Sequence, residues 1–299
     1  MTNIDGLESR ITPTIHVILA CHNRSALTQR ALTAVLDAAQ HADVPMSVTV
    51  FDDGSNDGTS DAIRHMVPDA KIFSGDGSFF WAASMARAEQ SVLAQGGLLP
   101  SDVILWLNDD VVVDQSSVAR AIGSWREHPG AVLVGAMRDP ASGRLTYSAM
   151  KRAGLHPLRF QMIEPKDVAL PADAFNGNFV LVPVHTARIV GGIDGSYSHA
   201  LADIDYGVRC GRSGVQVLLM EGTFGSCARN PDPKIEPILA EWKRFRGAKG
   251  GGNFSSLMRY LKKNGTRAWP FWLAATYLMW WIRAIERHQR VLFGVRRDK

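Results

Sequence analysis

Two pairs of adjacent carboxylates stand where strands should end. The stretch VFDDGSNDGTSD (50–61) leaves an apolar segment, Met46 to Phe51 interrupted by Ser47, and enters Asp52 and Asp53 before a run of turn residues. The stretch VILWLNDDVVVD (103–114) does the same at Asp109 and Asp110. A carboxylate pair between two apolar runs is costly unless something positive sits beside it. Hard oxygen donors suit Mg²⁺ or Mn²⁺, ions that bind through one or two carboxylates together with substrate phosphates. Calcium is excluded at the first pair. Counted from Asp53, the twelfth loop position holds Arg64, where a calcium loop needs a bidentate acid. Taken alone, DDGSNDG also fits a solvated turn, and Asp109 and Asp110 also fit a turn that caps a following helix.

The elements around these acids alternate. IHVILA (15–20) reads as a buried strand and SALTQRALTAVLDAAQ (25–40) as a helix with Ser25 as N-cap. Strands follow at 47–51, 71–73, 103–107 and 131–136, with helices at 59–67, 82–95 and 115–127. Short strands separated by helices predict an α/β fold, a mostly parallel sheet flanked by helices. In such sheets ligands bind beyond the carboxyl ends of the strands, where both acid pairs fall. The second half is less regular. Prolines and glycines at 138–172 predict loops and short hairpins, 175–183 a strand entered by a glycine turn, 199–212 a helix and 215–220 a strand. The glycine cluster GAKGGGN (247–253) reads as a hinge and domain boundary.

The 299 residues suffice for a sizeable core. Three cysteines, far apart and odd in number, suit a reducing cytosol better than a disulfide framework, and their spacing suggests no zinc site. The N-terminus carries no apolar signal-like run. Charge is unevenly spread. Residues 234–299 hold 15 Lys+Arg against 4 Asp+Glu, a net of +11, whereas the preceding body is net −7. A basic tail implies an anionic partner.

Six motifs in series, HVILACHNR, VFDDGSNDGTSD, GDGSFFWAASMARA (75–88), WLNDDVVVD, FNGNFVLVP (175–183) and HALADIDYGVR (199–209), resemble family-2 glycosyltransferases in order and spacing over residues 14–229. The resemblance implies the GT-A fold. A nucleotide-binding half (about 14–136) would join an acceptor half (about 137–246) within a domain spanning 1–246, followed by a helical basic and aromatic tail (254–299). It also implies that Asp52, Asp53 and the backbone from Ala20 to Asn23 meet the nucleotide, with Asp76 a further contact. Asp109 and Asp110 occupy the family's D-x-D position, although its first place here is Asn108. Asp110 would ligate Mn²⁺ or Mg²⁺, with Asp109 near the ribose or the metal. A phosphate-binding GxxxxGK[ST] loop is absent, and GDGSFF lacks the third glycine of a dinucleotide fingerprint, so a metal is the expected holder of the diphosphate.

Sugar transfer with inversion needs one base to deprotonate the acceptor hydroxyl. Asp205 stands four residues before Arg209, a spacing that pairs them on a helix. Asp203 lacks such a partner and aligns with the second acid of the family's Glu-Asp motif, which assigns it as the base. The first acid of that motif is replaced by Ala202. The metal-binding His of many relatives is also missing from GTFGSCARN (222–230), leaving Cys227, a water or Asp110 alone to serve the metal. Trp81, Asn176, Asn178 and His199 are the expected sugar and acceptor contacts.

Four of the eight tryptophans fall within 269–281. The uncharged block 268–282 would span about 22 Å as a helix, short of a bilayer core of roughly 30 Å. Arg283, Arg287 and Arg290 follow at helical spacing, and Lys262, Lys263 and Arg267 precede it. This describes a helix lying in an anionic membrane surface, with a buried C-terminal helix or a homodimer interface as the alternatives. Nucleic acid is not expected as a partner. The expected enzyme takes a nucleotide-sugar donor and a glycan or polyprenyl-linked acceptor, and the family resemblance implies catalysis at the cytoplasmic face of the membrane, in cell-surface polysaccharide synthesis. The alternatives are a sugar-phosphate nucleotidyltransferase, or a non-catalytic sugar-nucleotide binder or membrane scaffold.

Overall fold

The computed structural model describes residues 12–229, 236–265 and 267–292; the remaining residues, including 293–299 of the basic tail, lie outside it. The first half alternates as β1 (Ile15–Cys21), α1 (Ser25–His41), β2 (Met46–Asp52), α2 (Thr59–Met66), β3 (Lys71–Ser74), α3 (Phe80–Leu93) and β4 (Val103–Asn108). It continues through β5 (Val112–Val113), α4 (Ser117–Glu127) and β6 (Val132–Arg138). Short strands β7 (Leu145–Tyr147), β8 (Ala149–Arg152), β9 (Phe160–Met162), β10 (Leu170–Ala172) and β11 (Ala174–Phe175) lead to β12 (Phe179–Pro183). The chain then forms α5 (Val184–Val190), α6 (Ala202–Arg212), β13 (Val217–Ser226), α7 (Ile238–Arg246), α8 (Phe254–Asn264) and α9 (Trp269–Leu292).

The main sheet runs β10-β13-β6-β12-β4-β1-β2-β3. β3, β2, β1 and β4 are mutually parallel, and so are β6 and β13. β12 breaks the parallel run, lying antiparallel between β4 and β6. The sheet's central strands β1, β4, β6 and β12 are buried on both faces, as a sheet covered by helices requires. Val17, Leu19, Leu105 and Leu107 face one core with Leu32 and Val35 of α1 and Ile122 and Trp125 of α4. Ile18, Ile104 and Trp106, on the alternate positions, face Met85, Ala88 and Val92 of α3 and Tyr206 of α6. This is the GT-A arrangement.

Three local expectations are corrected. Ser25 is the first residue of α1 rather than its cap; its N–H donates to Asp57 Oδ2 at 3.0 Å, so the helix start is capped from the next loop. The segment 175–183 is two strands, because Asn176–Asn178 turns the chain from the three-stranded β11-β8-β9 sheet into the main one. Past the glycine cluster, α8 does not stand apart. Its Leu257, Tyr260 and Leu261 are fully buried in the core they share with α3 and α6.

The tryptophans of α9 are partly spoken for. Trp280 and Trp281 close on Trp242 of α7, with ring centroids 4.9 and 5.2 Å away. Two of the expected basic flanks are also committed: Arg287 pairs with Glu241, and Lys263 bridges Asp194 and Asp205 at 2.8 and 2.9 Å. The opposite face of α9 is exposed and apolar, through Phe271, Leu278, Ile282 and Ile285. No helix among the described residues is long and apolar enough to cross a membrane.

Candidate active site

Strand register brings the site together. Cys21 of β1 pairs with Asp52 of β2, and Ala20 with Asn108 of β4, so three carboxyl ends finish at one rim. Because β12 runs backwards, its starting turn reaches the same rim, where the Asn108 N–H donates to the Asn178 carbonyl at 3.1 Å. β13 ends beside Arg138 of β6 and delivers Cys227 there. The result is a cleft of about 500 Å³ that holds Ala20, Asp53, Trp81, Asp109, Asp110, Asn176, Asn178, His199 and Asp203.

Asp109 is 7% exposed and Asp110 less buried, and Arg24 spans both. Its Nη1 donates to Asp109 Oδ1 at 2.9 Å and to Asp110 Oδ2 at 3.3 Å. Burial pushes the Asp109 carboxyl up to about 6, with Asp110 adding to the rise and Arg24 opposing it. The Cys227 thiol donates to Asp110 Oδ1 at 3.4 Å. Burial, together with the Asp110 charge, pushes that thiol far above its ordinary range, so it is neutral.

Asp203 sits in the first turn of α6, entered through Leu201 in a left-handed conformation with φ of 80°. Such backbone is uncommon for a branched residue and is found where surroundings enforce it, often at functional sites. Asp203 Oδ1 accepts from the Ile204 N–H at 2.8 Å and Oδ2 from the Gly177 N–H at 3.2 Å. Burial nevertheless raises this carboxyl to about 6. Asp205 points elsewhere, fully buried, and accepts from Arg209, Lys263, Tyr197 and Asn264. Its pairing with Arg209 at 2.8 Å follows the four-residue spacing.

Trp81 donates its indole N–H to Asn108 Oδ1 at 2.8 Å and lies against Gly177. A Cβ on Gly177 would come within 2.7 Å of that ring, so the close approach requires glycine. Burial lowers His199 below the usual imidazole range, and the charges of Lys249 and Arg24 lower it further. Asp53 lines the cleft but its oxygens already accept from the Gly77 and Phe80 N–H groups, each at 2.9 Å. Asp52, Asn23 and Asp76 are not among the cleft-lining residues. Asp52 accepts from Ser55 and Ser60, Asn23 from the Asn56 N–H, and exposed Asp76 from Ser78.

The Glycosyl transferase family 2 profile matches residues 16–179. The chain belongs to this family. Over 232 residues the transferase is 24% identical to the N-acetylglucosaminyl-diphospho-decaprenol L-rhamnosyltransferase of Mycobacterium tuberculosis, covering 68% of this chain and 72% of that protein. Its fold is similar to GalNAc-T7 solved with UDP, GalNAc and Mn²⁺, with a TM-score of 0.59 at 12% identity over 84% of this chain; the chain spans about half of that one, 47%. It is also similar to the mannosyltransferase PcManGT from Pyrobaculum calidifontis in complex with GDP-Man and Mn²⁺, with a TM-score of 0.52 at 16% identity over 97% of this chain and 77% of that one. Asp203 lies beyond the segment that the family profile covers.

The donor set fits a hard divalent cation in a limited way. Asp109 and Asp110 offer carboxylate oxygens, while the protonated, soft sulfur of Cys227 does not suit Mg²⁺ or Mn²⁺. No cluster of three or more metal-ligating side chains forms among the described residues. A cation here would therefore complete its shell from substrate phosphates and water. Two cationic residues of the transferase, Arg24 and Lys249, line the cleft without having been singled out from the sequence. Arg24 left a signal, the one cation in the loop after β1. Lys249 left none, being far away in sequence within a stretch that reads as a linker.

A larger depression of about 750 Å³ lies near Phe79, Arg87 and Asp194. It holds none of the residues expected to act in catalysis or to bind nucleotide, metal or sugar, and two of its cations, Arg209 and Lys263, are already paired with carboxylates.

Proposed function

We propose that this glycosyltransferase moves a sugar from a nucleotide-sugar to a hydroxyl of a lipid-linked glycan, with inversion and with the help of a divalent cation. The observation that carries the reading is the sharing of one cleft by the Asp109–Asp110 pair and by Asp203, whose carboxylate is aimed by two backbone N–H groups. Asp203 accepts the acceptor hydroxyl proton. The hydroxyl oxygen then bonds to the anomeric carbon as the bond from that carbon to the diphosphate breaks on the opposite face. Asp110, with Asp109, would hold Mn²⁺ or Mg²⁺, which supplies positive charge to the leaving diphosphate. Ala20 and Asp53 border the nucleotide, and Trp81, Asn176, Asn178 and His199 border the sugars. Asp52, Asn23 and Asp76 shape the loops around it.

A lipid-linked acceptor is supported by the name of the mycobacterial relative and by the exposed apolar face of α9. We assign that face to an anionic membrane surface on the cytoplasmic side, in cell-surface polysaccharide synthesis. Arg267, Arg283 and Arg290 are exposed and unpaired among the described residues, and they provide the attraction. A purified-protein screen of nucleotide-sugars for release of nucleoside diphosphate, dependent on a lipid-diphosphate-linked glycan acceptor, tests the transfer; no release with any donor refutes it. Vesicle flotation tests the surface role. Removing all of 254–299 would also remove buried core, so the variant is Phe271→Glu with Leu278→Glu. Unchanged flotation with anionic vesicles refutes a membrane role, and loss of a dimer instead assigns the face to self-association.

A further inference from the structure

Lys249 lies in the glycine cluster between α7 and α8, outside the span matched by the family profile, and it lines the same cleft as Asp109, Asp110 and Asp203. Its ammonium group forms no ion pair among the described residues, although carboxylates line the cleft around it. The loop that carries it is built rather than slack. The Gly252 N–H donates to the Phe245 carbonyl at 3.0 Å, and a Cβ on Gly252 would come within 2.2 Å of the Phe245 ring. The Tyr277 hydroxyl of α9 donates to the Gly252 carbonyl at 3.0 Å. Asn253 then caps α8, accepting from the Ser256 N–H at 3.1 Å. The C-terminal end of the loop is thus tied both to the core helix α8 and to α9, the helix with the exposed apolar face. Lys249, Arg24 and His199 all line this cleft.

Lys249 is exposed at the cleft, and a cation there beside Arg24 attracts anionic ligands into it. We propose that Lys249 binds a substrate diphosphate in this cleft, opposing its charge together with Arg24. The glycine cluster is then part of the active site rather than a spacer between domains. Both substrates of the proposed reaction offer that chemistry: the nucleotide-sugar carries one diphosphate, and a diphosphate-linked lipid acceptor carries another. The inference rests on the transferase reading of the cleft.

The test compares Lys249→Ala and Lys249→Arg with the wild-type chain by isothermal titration in Mg²⁺. One arm uses UDP, dTDP and GDP against their nucleosides; the other uses farnesyl diphosphate against farnesol. Loss of one charge-assisted contact predicts roughly ten- to hundredfold weaker diphosphate binding in the alanine variant. The phosphate-free partner should bind unchanged, and arginine should restore most of the loss. The arm that moves identifies the source of the diphosphate. Unchanged diphosphate binding in both arms overturns the proposal. So does equal weakening of the phosphate-free partners, or no diphosphate binding by the wild-type chain. Should Lys249→Ala bind normally while Asp203→Asn abolishes transfer, Lys249 falls and the transferase reading stands.

Discussion

The Gly177 N–H donates to Asp203 Oδ2 at 3.2 Å, while the ring of Trp81 lies against the same glycine. One residue without a side chain thus fixes both the carboxylate and the aromatic wall of the cleft. In Gly177→Ala the new methyl must displace Trp81, whose indole is tethered to Asn108. Overpacking of this kind costs about 1–3 kcal/mol. The expected result is a lower Tm by thermal melt and at least a tenfold loss of transfer, with nucleoside diphosphate binding largely kept.

The Asp203 carboxyl, raised to about 6 by burial, must be ionised to act as a base. The transfer rate should therefore climb with pH through about 6 and level off above it. The stability link has the opposite sense. Since the folded pKa lies above the unfolded value, the stabilising contribution of the protonated form is complete below about 4 and is lost as pH rises through 6. Asp203→Asn should consequently melt no lower than the wild-type chain at pH 7, and calorimetry checks this directly.

Arg24 is the only cation bonded to the Asp109–Asp110 pair among the described residues. Replacing it by methionine leaves buried Asp109 and half-buried Asp110 side by side as like charges and raises the Asp109 carboxyl above its present value near 6. The added instability should develop as pH rises past 6, lowering Tm by about 2–4 °C at pH 8. Mn²⁺ should restore the loss by taking the place of the guanidinium. If Mn²⁺ leaves the melting curve of Arg24→Met unmoved, the pair does not hold a cation.

Cys227 reaches Asp110 as a donor, with its thiol pushed upward by burial and by that charge. A neutral sulfur contributes little to a hard cation. Cys227→Ser should retain the Mn²⁺ dependence of transfer within a few-fold, measured by metal titration of initial rates. A large increase in the Mn²⁺ requirement would make the sulfur a ligand.

Much of this molecule is written locally. Two apolar strands, β2 and β4, run into Asp52 and Asn108, and parallel register with β1 then gathers Asp53, Asn108, Asp109 and Asp110 at one rim. The reversal of β12 is not written locally, because a buried strand has the same composition in either direction; only the turn at Asn176–Asn178 marks it. The cap of α1 is misread for a related reason: Asp57 reaches it from another loop, where local spacing points to Ser25. Long-range charge pairing hides most completely. Lys263 reads as a basic flank of the tail, yet it neutralises Asp205 from 58 residues away. Lys249 sits in a linker-like run, yet it faces the cleft.

The most direct measurement is transfer by Asp203→Asn beside nucleoside diphosphate binding by the same protein, at pH 8 with Mn²⁺. Removing the base while keeping shape and fold should lower turnover by about 10² to 10⁴-fold, with binding unchanged. Turnover within a few-fold of the wild-type chain would contradict the account and move the base elsewhere in the cleft.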